Sequence, residues 1–128
     1  MRLLLDTHTF LWATTDDPRL STFARDMIED ADQEVLLSAA SAFEIAIKAA
    51  RGRLTLPEDP GAYIKTRVAT FRLVPLAITV EHAIEAGALP PIHADPWDRL
   101  LVAQARLESI PLLTADSVLR RYDVETLW

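Results

Sequence analysis

The chain opens on Leu3-Leu4-Leu5-Asp6-Thr7-His8, an apolar run that stops at a carboxylate. Three leucines in a row are too few for a helix and show no polar alternation, so as a strand they need cover on both faces. A strand buried in this way belongs in a parallel sheet, where neighbours are joined by long crossovers that are usually helices. If so, the remaining residues must supply the crossovers.

They supply alternating strands and helices. Residues 2–5 are expected as the central strand and 7–13 as a helix carrying Phe10, Leu11 and Trp12. Asp16-Asp17-Pro18 breaks it, and Ser21 caps a second helix on which Phe23, Met27 and Ile28 recur at helical spacing. Residues 34–37 form another short strand. A third helix comes after Ser38, with Phe43, Ile47 and Ala50 on one face and Gly52 as its stop. Residues 56–61 read as a loop and 62–71 as a fourth helix. Residues 73–76 are expected as a strand at the sheet edge, since Pro75 cannot donate to a ladder. Thr79 caps a helix over 79–88 that buries Ala83, Ile84 and Ala86. After Leu89-Pro90-Pro91, Asp95 is a cap, Pro96 the first helical residue and Asp98 the third, with apolar residues continuing to Leu107. Strands over 111–114 and 124–128 enclose a short helix over 117–121. The expected fold class is α/β: a three-layer arrangement with a central, mostly parallel sheet flanked by helices, formed as a single domain over residues 1–128.

Composition narrows the function. A chain of 128 residues buries roughly two thirds of its unfolded surface around one core. No stretch approaches the roughly 18 apolar residues that span a membrane, and no signal-peptide pattern precedes Asp6, so no membrane partner and a cytoplasmic location are expected. The absence of cysteine excludes disulfides, thiolate metal sites and cysteine nucleophiles. A net charge of -6 argues against binding nucleic acid by bulk positive potential, although a divalent cation held by acids reverses the sign locally.

Acids recur where elements begin or end: Asp6, Glu44, Asp95, Asp98 and Asp116. Each has an ordinary reading. Asp6 and Asp116 can cap the helices behind them, and Glu44 can pair with Lys48 on a helix surface for a few tenths of a kcal/mol. These readings leave unexplained why Asp98 shares a face with Val102 and Ala105, pointing inward while Asp95 already caps the helix. In parallel sheets, ligands bind beyond the carboxyl ends of the strands, where Asp6 and Asp116 fall. Clustered carboxylates stay ionised only with a cation, and hard oxygen donors without cysteine or paired histidine select Mg²⁺ or Mn²⁺. Such an ion suits phosphodiester hydrolysis. His8, His82 and His93 have no metal-ligand spacing, with His8 an indirect support beside Asp6, and Trp12, Trp97 and Trp128 are expected in the core or at a dimer contact.

Four segments carry a resemblance: Leu3-Leu4-Leu5-Asp6-Thr7-His8, the run from Ser38 through Phe43-Glu44 to Lys48, the block Asp95-Pro96-Trp97-Asp98-Arg99 and its continuation to Ala105, and Leu113-Thr114-Ala115-Asp116. In that order they resemble the PIN-domain ribonucleases, specifically the VapC-type toxins of bacterial toxin–antitoxin pairs. The resemblance implies a flavodoxin-like sheet and a catalytic, metal-binding quartet of Asp6, Glu44, Asp98 and Asp116, with Asp95, Thr7 and Thr114 as auxiliaries. It further implies Mg²⁺ or Mn²⁺ dependence, an RNA substrate cut in single-stranded regions, a homodimer, and a cognate antitoxin protein that blocks the site. Arg51, Arg53, Arg99, Arg120 and Arg121 are the groups expected to meet RNA. Two other classes stay open. A phosphatase of haloacid-dehalogenase type needs an acid two residues after Asp6, where this chain has His8. A receiver module needs a lysine near the last strands, and the lysines here are Lys48 and Lys65.

Overall fold

The computed structural model describes residues 1–128. Strands β1 (Arg2–Leu5), β2 (Glu34–Ser38), β3 (Val74–Leu76), β4 (Leu112–Leu113) and β5 (Thr126–Leu127) form one sheet, interleaved with helices α1 (Thr7–Thr14), α2 (Thr22–Glu29), α3 (Ala39–Ala50), α4 (Pro60–Thr70), α5 (Val80–Ala88) and α6 (Pro96–Glu108). The strand order is β3-β2-β1-β4-β5 and every pairing is parallel. β1 is central, as its leucines require. Pro75 lies on the edge strand, the place in a sheet that tolerates proline.

The alternation of side chains across the sheet divides the core in two. Leu3, Leu5, Val35, Leu37 and Leu113 face one layer with Phe10, Ala24, Ile28, Ile45 and Tyr63. Leu4, Leu36 and Leu112 face the other with Ala86, Leu101, Val102 and Ala105. This is the expected three-layer arrangement, α1 to α4 contributing to one side and α5 and α6 to the other. Leu3, Leu4 and Leu5 are at most 1% exposed, and full burial of a leucine side chain contributes about 2 kcal/mol.

Helix orientation departs from the sequence pattern in three places. On α3 the inward stripe is Ala40, Ser41, Glu44 and Ile45, while Phe43 is 57% exposed. The helix is apolar nearly all round, so periodicity alone cannot orient it; the Ser38 cap, whose hydroxyl accepts from Ala40 N at 2.9 Å, sets the rotation. On α5 the buried residues are His82 and Ala86, with Ile84 exposed, because His82 closes a capping box with Thr79 and its ring turns under the helix. On α2 Ala24 and Ile28 face the core and Phe23 is exposed. α4 also starts earlier than expected, at Pro60, because Asp59 accepts from Ala62 N and acts as a cap. The segment after Asp116 is reduced to a 3-10 turn over Leu119–Arg121.

Candidate active site

β1 and β4 lie side by side, and their carboxyl ends deliver Asp6 and Thr114 to the same point. Asp6 N donates to Leu113 O at 3.1 Å, and Thr114 Oγ1 donates to Asp6 Oδ2 at 2.6 Å. Asp6 occupies the N-cap position of α1, yet its side chain makes no capping bond. The carboxylate is turned into the protein at 4% exposure rather than onto the helix. Burial pushes its pKa above the usual carboxylate range, a rise reinforced by Asp116 and opposed chiefly by the Thr114 hydroxyl.

Asp116 sits at the strand–loop junction after β4. Its N–H donates to Thr114 Oγ1 at 3.0 Å, and its Oδ1 accepts from Val118 N at 2.9 Å, so it retains a turn-forming role alongside any other. Asp6 and Asp116 line one small cleft of about 200 Å³ together with His8 and Trp12.

Asp98 reaches the same place from α6. The Asp95 carboxylate accepts from Trp97 N at 2.9 Å and Asp98 N at 3.2 Å, so the cap is complete without Asp98. Burial raises the Asp98 carboxyl most, and the charges of Asp6, Asp95, Glu44 and Asp116 add to it, pushing it up to about 8. Each contributor is one of the acids singled out in the sequence. Their mutual repulsion at one position is the electrostatic sign that they converge.

Glu44 enters from α3 at 3% exposure. Its pairing with Lys48 is therefore no solvated surface bridge: one carboxylate oxygen meets Lys48 Nζ, and the other, Oε1, is buried with no hydrogen-bond partner. An orphaned buried acceptor costs about 1–3 kcal/mol unless something meets it. Thr7 joins the first and third helices by donating to Ser41 Oγ at 2.9 Å. Thr7, Glu44, Lys48 and Arg53 border a second cleft of about 430 Å³ that also reaches His8 and Trp12.

The arginines separate. Arg53 borders this cleft, while Arg51, Arg120 and Arg121 are exposed. Arg99, expected to meet RNA, is committed elsewhere: Nη1 donates to Pro90 O at 3.0 Å and His93 O at 3.2 Å, and Nη2 to Ala86 O at 2.8 Å and Leu89 O at 2.9 Å. A planar fork with several donors closes the loop before α6 better than it could reach a phosphate. Trp12 and Trp128 pack edge-on at the border of one core layer, and Trp97 meets Phe43 edge-on beside the other.

The structure adds a residue that sequence spacing did not mark. His93 Nε2 lies 3.0 Å from Asp98 Oδ2, and ligand atoms of His93, Asp98 and Asp116 fall within 4.8 Å of one another. His93 is in a loop, where no periodicity assigns a direction. Ser41 and Lys48 were likewise visible in the sequence only as ordinary helix residues.

A PIN-domain family model matches residues 3–125, and the chain belongs to that family. Within it, the chain is 36% identical over 121 residues to Ribonuclease VapC22 of Mycobacterium tuberculosis strain H37Rv, spanning 94% of this chain and 91% of that protein. Its fold is similar to a crystal structure of VapBC2 from Rickettsia felis bound to a promoter DNA fragment, with a TM-score of 0.76 at 14% identity over 100% of this chain and 99% of that one. It is also similar to VapBC-1 from nontypeable Haemophilus influenzae, with a TM-score of 0.65 at 16% identity over 99% and 97%. No helix of the structure is long and apolar enough to cross a membrane.

Proposed function

We propose that this chain is a divalent-metal-dependent endoribonuclease, the toxin of a toxin–antitoxin pair, with Asp6, Glu44, Asp98 and Asp116 as its metal-binding acids. The observation that carries the reading is the gathering of these carboxylates, from two strand ends and two helices, toward the carboxyl edge of the sheet. The donor set fits a hard cation. Glu44 Oε1 is buried without a partner, and Asp98 resists ionisation because it is buried and, beyond that, because its neighbours are negative. The oxygen ligands favour Mg²⁺ or Mn²⁺. When bound, the ion supplies Lewis-acid activation of water and neutralises charge developing on the phosphodiester.

The chain's own residues do the rest. Thr114 fixes one Asp6 oxygen by its hydroxyl proton, so the carboxylate meets a ligand in one orientation. Lys48 offsets the charge of Glu44. Thr7, held by Ser41, is an auxiliary that sets the first turn of α1, and Asp95 holds the α6 turn that presents Asp98. Arg53, bordering the cleft beside Glu44, is the cation placed to meet an RNA phosphate, with Arg51 and Arg120 further out. Relatives whose structures are VapBC assemblies support a cognate antitoxin partner for this chain, and a homodimer acting in the cytoplasm completes the proposal.

The competing classes lose their support at two residues. His8, in the position where a dehalogenase-type phosphatase carries its acid, is exposed and stacks on Trp12 at 5.8 Å. Lys48 lies on α3 against Glu44 rather than after a late strand. The test is purified wild type and Asp98→Asn incubated with RNA in Mg²⁺, Mn²⁺ or EDTA. Cleavage is expected only for wild type with metal; cleavage in EDTA, or an Asp98→Asn enzyme as fast as wild type, would sink the assignment. For the toxin role, expression is expected to arrest growth, with relief by the neighbouring gene product.

A further inference from the structure

Building on the metal-dependent function proposed for the site, we infer that His93 is a positioning residue of the centre: it restrains Asp98 through its Nε2–H and does not bind the ion itself. The ring's tautomer decides between these roles. The main-chain N–H of Asp95 donates to His93 Nδ1 at 3.2 Å, so that nitrogen presents its lone pair and the ring proton of the neutral imidazole is on Nε2. Nε2 is the atom 3.0 Å from Asp98 Oδ2. A histidine that ligates through Nε2 needs the opposite arrangement, with Nδ1 protonated and donating to a carbonyl or carboxylate. Here that arrangement would set two N–H donors against each other. His93 therefore lies among the ligand atoms of Asp98 and Asp116 without being equipped to join them.

Besides the Asp95 N–H that the imidazole accepts, its loop has two ties that do not involve the ring. Both are made by the main chain of the same residue: His93 N donates to Tyr122 Oη at 2.8 Å, and His93 O accepts from Arg99 Nη1 at 3.2 Å. Removing the ring leaves both contacts in place. Its loss is felt at Asp98, whose carboxylate regains rotational freedom that binding must then remove, and groups that orient ligands in this way typically change metal affinity about 10- to 100-fold.

The experiment is calorimetric titration of Mn²⁺ into the full-length wild type, His93→Ala, His93→Gln and Asp98→Asn, with metal-free melting curves and electron spin-echo spectra of the Mn²⁺ complexes. His93→Ala is expected to bind Mn²⁺ about 10- to 100-fold more weakly. His93→Gln, whose amide N–H reaches the Nε2 position, is expected to recover most of the affinity. Metal-free melting temperatures stay close to wild type, and the wild-type spectrum shows no coupling from a directly bound imidazole nitrogen. Wild-type affinity in His93→Ala overturns the inference, as does a nitrogen coupling that His93→Ala abolishes, which would make His93 a ligand. A metal-free melting temperature that falls in His93→Ala as steeply as the affinity would make it a structural anchor and overturn the inference too. If Asp98→Asn binds Mn²⁺ as wild type does, the metal reading of the site falls and takes this inference with it; an Asp98→Asn loss beside normal His93→Ala binding removes the inference alone.

Discussion

Two helices of this protein begin with the same dipeptide. Asp59-Pro60 opens α4 and Asp95-Pro96 opens α6, and in both the aspartate accepts main-chain N–H groups of the first turn while proline occupies the first helical position. The first turns then diverge. After Asp59 come Pro60, Gly61 and Ala62, with no group able to hold a ligand; after Asp95 the third helical residue is Asp98. At α6 the first acid satisfies the backbone and leaves the second free of it. A helix start thus becomes part of a reactive site when it carries one acid more than the cap consumes, placed where other acids already are.

The contrast breaks most sharply on activity. Asp98→Asn is expected to abolish metal-dependent RNA cleavage, whereas Asp59→Asn leaves the rate unchanged; equal rates in an RNA-cleavage assay would erase the distinction. Next in size is a stability effect confined to α6. Folded Asp98 titrates at about 8, against 3.8 for an aspartate in the unfolded chain. Between these values the folded protein holds a proton that the unfolded chain has released, so its contribution to stability is full below about pH 4 and is lost progressively as pH rises to about 8. Urea melts of the metal-free protein should show this slope, flattened in Asp98→Asn and by added Mg²⁺; an unchanged slope in the variant would assign it to Asp6, the other carboxyl raised by burial.

Smaller effects test the caps themselves. Asp59→Ala and Asp95→Ala should each destabilise by about 1 kcal/mol in denaturant melts. Only Asp95→Ala should also slow cleavage, because it frees the turn that presents Asp98. Least of all, Asp59→Asn should shift stability by no more than a few tenths of a kcal/mol, since asparagine caps about as well as aspartate. A loss as large as that of the alanine variant would show that charge at the α4 terminus, rather than the hydrogen bond, is what matters there.

The layout of strands and helices was legible because the strands are buried on both faces. Runs such as Leu3-Leu4-Leu5 and Val35-Leu36-Leu37 have no other stable environment in a chain of this length. Asp6, Asp98 and Asp116 stood out because each sits at or beside a junction, where a side chain's direction is set by the element before it, whereas Glu44 lies inside α3. The orientation of α3 was not, since Phe43, Ile45 and Ile47 give it apolar residues on several sides, and only the cap at Ser38 decides which turn inward. The hydrogen bonds that hold Arg99 were not legible, because its partners are carbonyl oxygens of the end of α5 and the loop after it, which leave no mark on composition or spacing. The same holds for His93, whose neighbour Asp98 is near in sequence but is brought to it by a turn.

The central position of the first strand also sets a timetable for synthesis. β1 pairs with β2 on one edge, but its other edge stays bare until Leu112 and Leu113 are made. The bond between Thr114 and Asp6 closes a loop of 108 residues, among the longest this chain can form. An unfinished polypeptide therefore holds Asp6 without Thr114 or Asp116 beside it, and the carboxylate pair at the sheet edge does not exist. If these acids act as proposed, a growing chain lacks the complete set until its last parallel strands have been made and docked.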